Sequence, residues 1–214
     1  MVRLDVRPFR APVLVLGSAP KPLVPEWAQG AKVVCVNASG AIARTLDLPS
    51  PTLTVMSGFM FGDSVANREA RAVLGGLRTQ HLVYVDVGCG FAAARRCLRT
   101  LGYGWDDVTV LSYDQRAQLV LNVTGVDVST ENTKPSTGVL AVVLALLLKG
   151  SPVCMAGFSF QNYGHAYSAS MQPRHHVGAD VLLLSVLVRN FCLYTTSVDV
   201  SECAGIPLWP SAKA

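Results

Sequence analysis

Val13-Leu-Val-Leu16 runs straight into Gly17-Ser18-Ala19-Pro20, and Lys32-Val-Val-Cys-Val36 runs into Asn37-Ala38-Ser39-Gly40. These two apolar runs, each closed by small and polar residues, decide the fold class. Neither alternates apolar with polar, so each reads as a strand covered on both faces. The pattern recurs at Leu53 to Met56 (closed by Ser57-Gly58), Leu82 to Val87, Val108 to Leu111, Pro152 to Ala156 and Cys192 to Thr196. Helical stretches lie between them: Arg68 to Gly76, Ala92 to Leu101, Thr137 to Lys149 and Ala179 to Arg189, with glycines closing the first three. The pattern assigns no element between Leu111 and Thr137. The tail from Gly205, with Pro207 and Pro210, is expected to be irregular and to lie on the surface. Strands interleaved with helices predict an α/β fold: one Rossmann-like domain over residues 1–214, with a mostly parallel twisted sheet and helices on both faces. Ligands of such sheets bind outside the carboxyl ends of the strands.

Composition narrows the function. Half of the 214 residues are hydrophobic and 15% are charged, which excludes a disordered chain and permits a sizeable core. The net charge of +4 suits a small anionic ligand. No basic stripe with interleaved aromatics occurs, so nucleic acid is not an expected partner. The six cysteines (Cys35, Cys89, Cys97, Cys154, Cys192 and Cys203) form no CxxC pair, and several sit in apolar runs. They read as reduced core thiols, which favours a reducing compartment and a cytoplasmic location. No ligand set has the spacing of a structural zinc site. The basic start, Met1 to Arg10, precedes an apolar run shorter than the roughly 7–15 residues of a signal peptide, and Pro12 interrupts its approach. Val139 to Leu148 covers about half a membrane span, so no transmembrane segment is expected.

Three later segments carry the chemistry. In Lys134-Pro-Ser136-Thr137-Gly138, Ser136 or Thr137 can cap the apolar helix that follows, and Gly138 keeps its first turn open. First-turn amides attract anions, and Lys134 adds a positive charge; an ordinary capped helix needs the same residues. Gly157-Phe158-Ser-Phe160 ends a strand and enters a polar loop, about 158–175, of the length often found in lids. Its Tyr163 and Tyr167 offer phenolic donors that can hold a leaving phosphate, or can simply pack. In His175-His176-Val-Gly-Ala-Asp180, either imidazole can act as a general base, and Asp180 can orient or charge-tune one of them. With His165 they form a cluster that also leaves metal binding open, whereas His81 stands apart. Upstream, Gly17-Ser18 lets backbone approach a phosphate or makes a tight turn, and Asn37 offers an amide to a nucleotide or sugar or forms an Asx turn.

In order, these features resemble the bacterial sialyltransferases of glycosyltransferase family 42 and, more distantly, the animal family 29 enzymes. The shared features are Gly17 after the first strand, Asn37 after the second, Lys134 before Ser136-Thr137-Gly138, and Gly157-Phe158-Ser159-Phe160 with Tyr167. His175, five residues before Asp180, completes the series. The resemblance implies a glycosyltransferase A-like variant of the fold, and inverting, metal-independent transfer from a CMP-sugar, usually CMP-sialic acid, to a glycan hydroxyl with no further cofactor. By it, His175 is the base, with His176 and Asp180 in support. Tyr167 and Tyr163 hold the leaving phosphate. Gly17, Ser18, Asn37, Ser57, Lys134, Ser136, Thr137, Gly138, Gly157 and Phe158 bind the donor. Peripheral association with the inner membrane through a lipid-linked acceptor, and a homo-oligomer, are compatible with it. The chain departs from the family pattern at Ser18 and Ser57, where asparagine is usual, at Ser159 in place of an acid, and at Gln161 near the first lid tyrosine.

Two other readings compete. The strand-turn architecture also resembles pterin pyrophosphokinase-like proteins, which use ATP and magnesium held by carboxylates. Here the nearest strand-end carboxylates are Asp63 and Asp86. A non-catalytic nucleotide- or glycan-binding module is the third reading.

Overall fold

In the computed structural model the described residues are 4, 6–88, 90–130, 133–161, 164–168 and 176–210. The strands β1 (Val13–Leu16), β2 (Lys32–Val36), β3 (Leu53–Ser57), β4 (Arg78–Val85), β5 (Gly104–Leu111), β6 (Val153–Ala156) and β7 (Leu193–Thr195) form one sheet. Its order is β5-β4-β3-β2-β1-β6-β7, and every pairing is parallel. The connecting helices are α1 (Gly40–Thr45), α2 (Val65–Ala72), α3 (Phe91–Thr100), α4 (Tyr113–Thr124), α5 (Thr137–Leu147), α6 (Val177–Asn190) and α7 (Val198–Ala204).

The two-residue period of a strand explains why β1 is apolar throughout. Val13 and Val15 face a core built with α4, α5 and α6, whereas Leu14 and Leu16 face the opposite side with Ile42 and Ala43 of α1. A third cluster sets Met56 and Leu82 against Ala70 of α2 and Leu98 of α3. α5 lies across β1, β2, β3 and β6, and every residue from Val139 to Leu146 is buried. Each large side chain buried there contributes about 1.5–3 kcal/mol. The start of α5 is therefore held firmly against the strand ends.

The chain lays down β1 to β5 in one direction, then returns to place β6 on the other side of β1. The point where strand order reverses lies between β1 and β6. There the connections leave in opposite directions and open a crevice at the carboxyl edge of the sheet.

Several elements differ from expectation for identifiable reasons. β4 begins at Arg78 rather than Leu82, and β5 at Gly104 rather than Val108. Both starts include polar residues: Thr79 and His81 of β4 are buried, whereas Asp106 and Asp107 of β5 are exposed because β5 is an edge strand. α2 starts at Val65, capped by the Ser64 hydroxyl, which accepts from the Asn67 amide; Gly76 lies beyond the helix in a turn. α4 occupies a stretch to which the apolar pattern assigns no element. Its buried side includes Arg116 beside Leu119 and Val120, which masks the apolar period. The tail is not merely surface-lying. Ile206 is fully buried, Leu208 bridges to Thr195, and the Trp209 ring meets Tyr194 and Trp27 edge-on at 4.9 and 5.2 Å.

The cysteines divide. Burial pushes the thiols of Cys35 and Cys154 up to about 12, so both are inert core groups. Cys97 is half-buried, and Cys192 and Cys203 are exposed, contrary to the reading of core thiols. Cys89 lies outside the described residues. Among the described residues no helix is long and apolar enough to cross a membrane.

Candidate functional site

At the crevice between β1 and β6 a cavity of about 290 Å³ opens, near the lower end of the range for small-molecule sites. Its wall contains Gly17, Ser18, Asn37, Ser57, Lys134, Ser136, Thr137, Gly138, Gly157 and Phe158, together with His176 and Asp180. Residues from the ends of β1, β2, β3 and β6 thus meet the starts of α5 and α6. His175 and Tyr163, expected as base and phosphate donor, lie outside the described residues.

The start of α5 forms part of this wall. Ser136 is the cap: its hydroxyl accepts from the Val139 amide at 3.2 Å, while Thr137 opens the helix. The Ser136 amide donates to Asp180 Oδ1 at 2.7 Å. Asp180 is 7% exposed. This bond fixes the α5 cap to α6, because a buried carboxylate is stabilised by donors and the amide before a helix needs an acceptor. Gly138 has a reason invisible in the sequence. A Cβ there would come 2.8 Å from the Phe158 ring, which packs over the first turn of α5.

Two cations line the wall. Lys134 and Arg116 are only 7% and 5% exposed. The Lys134 ammonium lies 5.1 Å from the Phe59 ring centre and 5.3 Å from that of Tyr113; the Arg116 guanidinium lies 5.0 Å from Tyr113. Aromatic faces hold both charges in place. Asp180 is the one carboxylate among the described lining residues, and neither Asp63 nor Asp86 lines the cavity. Asp86 accepts from the Gly88 and Gly90 amides instead. The electrostatics suit an anion.

Asn37 adopts a left-handed backbone with φ of 51°, and its side-chain oxygen accepts from the Ser57 amide at 2.9 Å. It links the ends of β2 and β3. The Ser57 hydroxyl in turn accepts from the Phe59 amide at 3.3 Å and caps the short turn Gly58–Phe61.

The loop after β6 differs most from expectation. Tyr167 is not on the wall. Its ring packs against residues of two core clusters and stacks on His165, centre to centre 5.3 Å and 5° from parallel. A tyrosine body is worth more between apolar neighbours than in water, so it retreats and His165 takes the wall position. Ser159, standing where an acid was expected, donates to Asp199 Oδ2 at 2.7 Å. The same carboxylate accepts from the Phe160 and Gln161 amides and from the Ser197 hydroxyl. α7 thus brings a carboxylate to the end of β6.

Burial raises the Asp199 pKa, yet these hydrogen bonds outweigh it and bring the carboxyl down to about 2. A depressed carboxylate contributes stability above its unfolded pKa of about 3.9, and that contribution is lost as pH falls through the folded value. Asp199→Asn is expected to be less stable than wild type at pH 7. Between about pH 4 and pH 2 its stability should fall less steeply than wild type, read from urea midpoints across that range. Equal slopes would mean that the carboxylate is not held as described.

Arg116 and Asp199 had no role in the sequence reading, and His165 entered it only as a member of the histidine cluster. Arg116 had a usable signal: Ser112 and Gln115 form a capping box, and Gly125 follows the helix in a left-handed turn. Asp199 had none, and nothing local tied His165 to Ser18, since each acts on a residue far away in the chain.

No family model matches the sequence, and no curated protein matches it. Solved structures do match the fold. The sialyltransferase CstII of Campylobacter jejuni, in complex with the substrate analogue CMP-3FNeuAc, is 14% identical, with a TM-score of 0.58 over 94% of this chain and 86% of that one. CST-II with a trisaccharide acceptor and CMP is also 14% identical, with a TM-score of 0.56 over 93% and 86% of the two chains. The monofunctional alpha-2,3-sialyltransferase Cst-I of Campylobacter jejuni is 10% identical, with a TM-score of 0.56 over 97% and 84%. The chain has the α/β fold of these sialyltransferases.

Proposed function

We propose that the chain is a glycosyltransferase that moves sialic acid, or a related acidic sugar, from a CMP-sugar to a glycan hydroxyl, with inversion and without a metal. One observation carries this reading: the cavity at the strand-order reversal joins the α5 start to the buried cations Lys134 and Arg116. A nucleotide-linked acidic sugar carries a phosphate and a carboxylate, and both are acceptors of the kind this wall attracts. Positive charge from side chains and from the helix terminus does here what a metal does at many phosphate sites. The sole carboxylate among the described lining residues, Asp180, already accepts from Ser136. The fold shared with proteins bound to CMP and its sugar analogue supports the same reading.

In the proposed reaction the acceptor oxygen bonds to the anomeric carbon as the carbon–oxygen bond to the phosphate breaks. The bonding pair leaves on the phosphate oxygen, and the hydroxyl proton passes to His175, the base that the family resemblance implies. Ser136, Thr137 and Gly138 hold the donor's anionic groups, and Asn37 and Ser57 contact its nucleotide or sugar. The enzyme works as a soluble or peripherally associated protein on a glycan acceptor.

The test is incubation with CMP-sialic acid and lactoside acceptors, with EDTA and without. Sialylated product and released CMP, both unaffected by EDTA, are expected. Stabilisation by ATP and magnesium but not by CMP would overturn the proposal in favour of a pyrophosphokinase-like enzyme. CMP binding without turnover would leave a binding module.

A further inference from the structure

Ser18 and His165, 147 residues apart in the chain, meet on the cavity wall with Oγ 2.5 Å from Nδ1. The contact is anchored on several sides. The Ala166 amide donates to the Ser18 carbonyl at 2.8 Å, and the Ser168 amide donates to the His165 carbonyl at 3.0 Å. The Ser168 hydroxyl donates to the carboxylate of Glu69 on α2, and the imidazole lies flat on Tyr167. A turn tied to β1, to α2 and to the core thus presses one imidazole nitrogen onto one hydroxyl.

A serine hydroxyl has a single proton. When Nδ1 is bare, Ser18 donates to it, and only oxygen lone pairs remain for the cavity. When Nδ1 carries a proton, it donates to Oγ, and the hydroxyl proton is released to another acceptor. Phosphate oxygens only accept. We propose that His165 sets the polarity of Ser18, so that a proton on Nδ1 turns the Ser18 hydroxyl into a hydrogen-bond donor to the phosphate of the nucleotide. His165 is a positioning residue acting through Ser18, and the identity of the nucleotide rests on the function proposed above. When the carbon–oxygen bond of the donor breaks, the phosphate gains one negative charge. A protonated imidazole behind Ser18 offsets that charge without itself transferring a proton. The ionisable groups around this pair are Tyr167 beneath the ring, Glu69 on the far side of the turn, and Lys134, Arg116, His176 and Asp180 on the cavity wall.

The test compares CMP binding by wild type, His165→Asn, Ser18→Ala and the double variant by calorimetry between pH 5.5 and 8.5. Asparagine puts an amide where Nδ1 stands, and it does not titrate. The ratio of wild-type to His165→Asn affinity should grow by about 3- to 10-fold as pH falls past the ordinary imidazole value of about 6.5. In the Ser18→Ala background, His165→Asn should change nothing. With ¹⁵N-labelled histidine, the Nδ1 signal lost in His165→Asn should move toward the protonated position on adding CMP. An affinity ratio constant with pH, or an undiminished His165→Asn effect in Ser18→Ala, overturns the proposal while leaving the nucleotide-sugar reading intact. If wild type binds no CMP at any pH, that reading fails instead. Inorganic phosphate in the same NMR titration then decides the pair: a shift abolished by Ser18→Ala supports it, and no shift overturns it.

Discussion

Alanine at Gly17 is expected to cost about 3 kcal/mol or more, a large share of the roughly 5–15 kcal/mol that holds a domain folded. The ends of β1 and β6 touch through backbone. A Cβ at Gly17 would lie 2.3 Å from the Gly157 carbonyl oxygen, 3.0 Å from its carbon and 3.1 Å from the Phe158 ring. That oxygen cannot simply move aside, because it accepts from the Ala19 amide at 2.8 Å. Breaking that bond costs about 1 kcal/mol beyond the overpacking. Gly157 is constrained in turn: its φ is 70°, and a Cβ there would meet the Gly17 carbonyl at 2.9 Å. Gly178 is the control. It lies in the first turn of α6, and a Cβ there would meet nothing within 4 Å, so alanine should be neutral or stabilising by up to about 1 kcal/mol. Urea unfolding of both variants checks this. A Gly17→Ala protein as stable as Gly178→Ala would mean that the two strand ends do not approach as described.

Alanine at His175 should lower sialyl transfer by about 10²- to 10⁴-fold, the usual contribution of a positioned general base, while CMP binding stays within a few-fold. On the proposed function the base acts on the acceptor hydroxyl and makes no contact that the nucleotide needs. The neighbouring His176 lines the cavity, and its alanine variant is expected to lose less than about tenfold. A reversed pattern would assign the base to His176; full activity in both variants would sink an imidazole base altogether. The pH profile gives a second reading. Activity should decline as pH falls below about 6.5, where an ordinary imidazole gains its proton and can no longer accept one. A profile flat down to about pH 4.5 would contradict that role.

Much of the fold was legible because its signals are local. β1 and β2 have the bounds that their apolar runs mark, and α5 begins at the Thr137 that follows its serine cap. The stretches that escaped, the first half of β5 and the whole of α4 among them, share a different property. β5 is an edge strand with a largely exposed surface, and α4 buries an arginine among its apolar residues, so neither keeps the hydrophobic rhythm that announces an element. The tail gave no apolar run, yet Ile206 fills the core and Trp209 docks on Tyr194 and Trp27.

The site divides along the same line. From sequence alone came the sheet class, the crevice at the carboxyl edge of the strands, and the residues at the strand ends and at the start of α5. Strand burial, helix caps and glycine turns are properties of neighbouring residues, so the chain states them directly. Only the tertiary structure decided what those residues are tied to. Asp180 holds the amide of Ser136, 44 residues away; Asp199 supplies a carboxylate to Ser159 across 40; and His165, rather than Tyr167, reaches the wall to meet Ser18 across 147. A buried charge or hydroxyl takes whichever partner packing brings within hydrogen-bond distance. That choice is made when helices and loops close over the sheet, and no local pattern of residues records it.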